Sequence, residues 1–167
     1  RRVRALEGRA PRADAAAPVA AGDGAPKVPV VPLVLKPANA QQRKDYDTAF
    51  DLMKQGHYEK AIKGFREFVA KYPDVSLSDN AQYWIAEGTY VQRQYRPALD
   101  EFAKVLSLYP GSPKAPDALL KIGFSHYELG DYPKARKVLT DVIARYPESA
   151  GARLAQARLD KMKGEGR

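Results

Sequence analysis

Few side chains in this sequence are equipped for covalent or acid–base chemistry. It holds two histidines, His57 and His126, and no cysteine. Without cysteine there are no disulfides, no thiolate nucleophile and no Cys-ligated metal. Neither histidine has a second candidate ligand at helical spacing, so a metal site finds no support. No glycine-rich phosphate loop or nucleophile motif is present. The many carboxylates stand beside lysines, as in Glu59-Lys60, which is the pattern of a solvated helix face. The expectation is a non-enzyme with no catalytic residue, no cofactor and no metal.

The elements that carry these residues are legible from a repeat. From residue 40 onward the sequence resembles itself at a step of 37: Tyr58, Tyr95 and Tyr132 are in phase, and so are Ala61, Ala98 and Ala135. Phe65, Phe102 and Leu139 follow the same step, as do the pairs Tyr72-Pro73, Tyr109-Pro110 and Tyr146-Pro147. A fixed period of this length marks a solenoid of stacked supersecondary units. Inside each unit the apolar residues recur at i+3 and i+4, which places them on one helical face. Gly56 and Gly130 suit tight turns because glycine tolerates positive φ; Arg93 stands at that place in the middle unit. Each Tyr-Pro pair ends a helix, since proline can neither donate the next helical hydrogen bond nor fit the preceding turn.

These signals predict helical hairpins over 42–55 with 58–71, 78–92 with 95–108, and 115–129 with 132–145. A last helix over 150–163 resembles half a unit, and its outer face is expected to carry Arg153, Arg158, Lys161 and Lys163. A polar terminal helix is what a solenoid needs to cover its final interface. The fold class is therefore all-α, three hairpins plus a capping helix. Small residues at Ala49, Ala86 and Gly123, and at Ala61, Ala98 and Ala135, mark close helix crossings, where a larger side chain would overpack at a cost of about 1–3 kcal/mol.

The first 40 residues differ. Residues 1–9 have helix-forming composition, with Val3 and Leu6 spaced as in a coiled-coil seam. Residues 10–40 are rich in Ala, Pro, Gly and Val, a composition that favours a semi-rigid linker; the alternative is that Val28 to Leu35 docks as an extended segment. The chain carries a net charge of +8. Seven Lys/Arg face three acids in the first 37 residues, and 21 face 17 in the rest. Interspersed charges of this kind read as a solvated basic surface rather than a nucleic-acid site. No apolar run approaches the roughly 20 residues of a membrane span. The chain starts Arg-Arg with no signal-peptide core, so it reads as a piece of a longer protein.

The segments Gly56-His57-Tyr58-Glu59-Lys60-Ala61 and Gly130-Asp131-Tyr132-Pro133-Lys134-Ala135 resemble the turn of the tetratricopeptide repeat. The unit here is three residues longer than the usual 34. A narrower resemblance lies in Ala49-Phe50-Asp51-Leu52-Met53-Lys54-Gln55-Gly56, the Tyr-Pro loops, and Ala81-Gln82-Tyr83-Trp84-Ile85-Ala86-Glu87. Together with the leading RRVRALEG and the Pro/Ala linker, these resemble the C-terminal domain of the Tol–Pal cell division coordinator (CpoB/YbgF) family.

That resemblance implies a periplasmic protein of a Gram-negative bacterium. It implies trimerisation through an N-terminal coiled coil, of which little is present here. It also implies binding to TolA and a link with the peptidoglycan synthase machinery that couples wall synthesis to outer-membrane constriction. The alternative is a structural subunit of outer-membrane assembly with similar repeats. Tetratricopeptide stacks line their concave face with the first helix of each hairpin. At the resembling positions stand Tyr46, Phe50 and Met53, then Tyr83, Glu87 and Tyr90, then Leu120, Phe124 and Tyr127. These nine form the candidate protein-binding groove, although several of them could instead pack against neighbouring helices. Asp47, Trp84 and Lys121 stand where carboxylate-clamp repeats use Asn, which disfavours recognition of a free C-terminus.

Overall fold

The computed structural model describes residues 34–167, and the described residues form seven α-helices: α1 (Ala40–Lys54), α2 (Tyr58–Lys71), α3 (Ser78–Val91), α4 (Tyr95–Leu108), α5 (Ala115–Glu128), α6 (Tyr132–Arg145) and α7 (Ala150–Gly164). They pair as three hairpins, α1/α2, α3/α4 and α5/α6. Each helix packs on the next, and α7 lies against both α6 and α5. The architecture is that of a tetratricopeptide-repeat α-solenoid.

The helix limits follow the predicted ones to within about two residues. The largest difference is at α1, which starts earlier than its apolar periodicity suggests. Asn39 caps it: its side chain accepts from the Gln42 backbone N–H at 2.8 Å, and the Gln42 side chain accepts from the Asn39 N–H at 2.9 Å. This reciprocal box satisfies two of the N–H groups a helix start leaves open.

The turn inside each hairpin has the same build. His57 N–H bonds to Leu52 C=O at 2.9 Å and Gly56 N–H to Met53 C=O at 3.1 Å. Gln94 with Thr89, and Arg93 with Tyr90, repeat the pattern; so do Asp131 with His126 and Gly130 with Tyr127. These are Schellman closures, whose penultimate residue takes a left-handed backbone. Gly56 has φ +80° and Gly130 φ +76°, and Arg93 accepts φ +61° despite its side chain.

The second helix of each hairpin ends at a tyrosine. Tyr72, Tyr109 and Tyr146 donate their backbone N–H to Phe68, Val105 and Val142 and then leave helical geometry before the proline. Tyr109 does more than end a helix. Its hydroxyl donates to the Pro73 carbonyl at 2.9 Å, tying the second inter-hairpin loop to the first.

Ala61, Ala98 and Ala135 are fully buried, as are Phe65, Phe102 and Leu139 beside them. Gly123 shows why small residues stand at the crossings: a Cβ there would lie 2.7 Å from Leu139 Cδ2. Truncating Phe65 or Phe102 to Ala would cost about 3–5 kcal/mol by the usual cavity penalty.

Part of the segment assigned by composition to a linker packs on the solenoid. Lys36 forms a parallel bridge with Val75: its N–H donates to Asp74 C=O at 2.8 Å, and its C=O accepts from Ser76 N–H at 2.7 Å. Ala38 is buried and donates its N–H to Ser76 Oγ. The extra loop residues between hairpins supply this edge. The expected coiled-coil remnant 1–9, the linker up to residue 33 and most of the apolar run from Val28 lie outside the described residues.

Candidate protein-binding groove

The nine groove candidates divide by burial. Tyr46, Met53, Tyr83 and Leu120 are buried. Tyr46 meets Phe65 and Phe68 edge-on at 5.4 and 5.9 Å and accepts a hydrogen bond from Trp84 Nε1 at 3.0 Å. Met53 fills the space left by Gly88 on α3. Tyr83 leans on Phe102 with ring centres 5.7 Å apart. Leu120 joins the core shared by the second and third hairpins. These four hold α1, α3 and α5 against their neighbours and offer a partner little surface.

Phe50, Glu87, Tyr90, Phe124 and Tyr127 remain half-buried. Phe50 of α1 packs on Trp84 at 5.3 Å, Tyr90 of α3 on Tyr95 at 5.3 Å, and Tyr127 of α5 on Tyr132 at 5.5 Å. Each ring is thus backed by an aromatic neighbour and keeps part of its surface accessible. Rigid aromatic surface of this kind binds protein at low entropic cost.

The sequence did not reveal how basic this surface is. Lys114 Nζ lies 4.9 Å from the Tyr83 ring centre and 5.4 Å from that of Trp84. Lys121 Nζ lies 4.5 Å from the Tyr90 ring and pairs with Glu87 at 3.2 Å. The Arg158 guanidinium lies 4.1 Å from Phe124 and 4.8 Å from Tyr127. Cations over aromatic faces are attracted by the ring quadrupole, by about 0.5–2 kcal/mol depending on desolvation. Arg158 was expected on the outer face of α7, and here the structure corrects the sequence reading. It falls three residues after Ala155 and four before Met162, both fully buried, so helical spacing turns it inward. That spacing was the available signal. Arg153, Lys161 and Lys163 are exposed.

Burial, and then the nearby Glu128 carboxylate, push the Tyr90 hydroxyl up to about 12. It therefore stays a neutral phenol across the physiological range. His126 is held below its ordinary value, mainly by burial, and is a neutral imidazole at pH 7. His57 is exposed in the first turn. Among the described residues no three His, Cys, Asp or Glu side chains converge as a metal site would need, and no helix there is long and apolar enough to cross a membrane.

Comparison with known proteins agrees with this architecture. The tetratricopeptide repeat family model matches residues 38–74 and 117–149. A stretch of 48 residues, 29% of this chain, is 46% identical to the cell division coordinator CpoB of Pseudomonas putida and takes in 18% of that protein. Over 123 residues, 69% of this chain, it is 27% identical to the outer membrane protein assembly factor BamD of Caulobacter vibrioides, 40% of whose length is covered. The chain thus spans less than half the length of these curated relatives. Among solved structures, the type III secretion translocator chaperone SycD of Yersinia enterocolitica superposes with a TM-score of 0.64. It is 17% identical over 78% of this chain and 97% of that one, a likeness of fold.

Proposed function

We propose that this chain is the docking module of a periplasmic adaptor in the Tol–Pal system of a Gram-negative bacterium. In this reading it binds TolA in the groove and helps coordinate peptidoglycan synthesis with outer-membrane constriction during division. The observation that carries protein binding is the row of half-exposed rings at Phe50, Tyr90 and Tyr127, each backed by an aromatic neighbour, with Phe124 packed on the core beside them. What favours this system is the 46% identity with a cell division coordinator. Phe50→Ala combined with Tyr90→Ala should abolish capture of TolA on beads at a temperature where the variant keeps its helicity, its melting point falling because both rings also pack on the core. Capture at wild-type level would remove the groove from the reading.

A second reading has its own support. The longer match, 123 residues, is to an outer-membrane assembly factor, so the module could serve as a structural subunit of such a complex. The two separate in a co-purification from envelope extracts. Recovery of assembly-complex subunits in place of TolA would favour the second.

A further inference from the structure

Resting on the groove as a protein-binding site, we propose that its occupant is an acidic segment from the interior of a partner chain, with a carboxylate side chain seated at Arg158 and apolar neighbours on the Phe124 and Tyr127 rings. Arg158 is held by stacking alone. It makes no ion pair or hydrogen bond with any described residue, and its Nη1 is buried without an acceptor. Elsewhere in the chain Arg66 and Arg145 do find carboxylates, at 3.0 and 3.5 Å. A guanidinium withdrawn from water with no acceptor is costly. Arg158 as a whole is only half-buried, and a carboxylate arriving at the accessible edge of its guanidinium offsets that cost with charge-assisted bonds.

The surrounding charge points the same way. Lys114 Nζ sits over two rings and has no ion pair among the described residues. Lys121 has one, and Glu87, its partner, keeps its other oxygen buried and without a donor. Of the nearby acids, Glu87 is paired with Lys121, and Glu165 accepts from the Tyr127 hydroxyl at 2.6 Å while keeping its charge, so Asp117, Glu128 and Glu165 stand against Lys114, Arg158, Lys161 and Arg167. The cations run from Lys114 at the start of α5 to Arg158 beside its end, a span of about 20 Å at helical rise. Such a row suits several acidic side chains along a segment better than one terminal carboxylate.

The test is a selection of random linear peptides, displayed with both ends embedded in a carrier protein, against the full 167-residue chain. Selected peptides should be enriched in Asp and Glu beside apolar residues. Arg158→Gln with Lys121→Gln should weaken them at least about tenfold, an effect that added salt would mimic. Should that variant lose helicity, replacing Glu by Gln in a selected peptide against the wild-type chain reads the same quantity. Neutral or basic peptides that still lose binding with Phe50→Ala and Tyr90→Ala would overturn the acidic occupant and keep the groove. Peptides indifferent to those two substitutions would overturn both.

Discussion

Arg93 is the residue where local geometry and chemistry disagree most. It takes the left-handed backbone that Gly56 and Gly130 take in the equivalent turns. For a residue with a Cβ this conformation costs about 1–2 kcal/mol. Arg93 is exposed and has no ion pair among the described residues, so its side chain gives nothing visible in return. Arg93→Gly should therefore stabilise the chain, by about 1 kcal/mol after glycine's larger unfolded-state entropy is counted. Gly56→Ala should lose a similar amount, because a Cβ there meets no atom within 4 Å and the penalty is backbone conformation alone. Thermal melts of the two variants check both signs. The strain at this turn was visible beforehand, since only the repeat's phase was needed to align Arg93 with two glycines. The Arg158 stack was visible only in part: its spacing from Ala155 and Met162 turns it inward, but the rings it meets stand on α5, about thirty residues away, and nothing in the sequence pairs them with it.

At the scale of helices, a buried carboxylate fastens the first hairpin to the second. Glu101 of α4 accepts from Gln82 Nε2 of α3 at 2.8 Å and pairs with Arg66 of α2 at 3.0 Å and Lys104 at 3.4 Å. Burial by itself would raise its pKa. The hydrogen bond from Gln82, with Arg66 and Lys104, outweighs burial and leaves the group below the ordinary carboxylate value. A folded pKa below the unfolded one contributes stability above the unfolded value of about 4.3, and that contribution is lost as pH falls through the folded pKa. Glu101→Gln should thus be less stable than wild type at pH 7 and show a shallower loss on acidification. Denaturant midpoints compared at pH 7 and on the acid side of pH 4 decide it; parallel curves would show that Glu101 does not couple the hairpins. None of this network was legible in the sequence. Its members sit on three helices at positions where exposed charges are ordinary, and only the stacking brings them together.

For the molecule as a whole, the repeat made most of the fold readable and less of the site. Helix count, limits and hairpin pairing follow from in-phase apolar residues, turns and Tyr-Pro pairs, which depend on neighbours close in sequence. The groove depends on contacts one repeat away: Trp84 with Tyr46, Ser112 with Asp79, Lys121 with Glu87, and Tyr127 with Glu165. Packing against neighbouring helices, as of Tyr46 under Trp84 and Tyr83 on Phe102, decided which of the nine candidates faced inward. The 36–38 strap was also hidden, because backbone pairing leaves no trace in side-chain periodicity. Trp84 has a consequence of its own. It is the chain's one tryptophan, and it stands between Phe50 and Tyr83 with the Lys114 ammonium over its ring. The indole is therefore a single emitter placed on the wall of the groove, in the field of a charge that an acidic occupant would draw away. Titrating such a peptide should shift the wavelength and yield of its fluorescence with no dye attached, and Lys114→Met should remove most of that response. An emission spectrum unmoved by a peptide that binds would place the occupant away from the α1–α3 side of the groove.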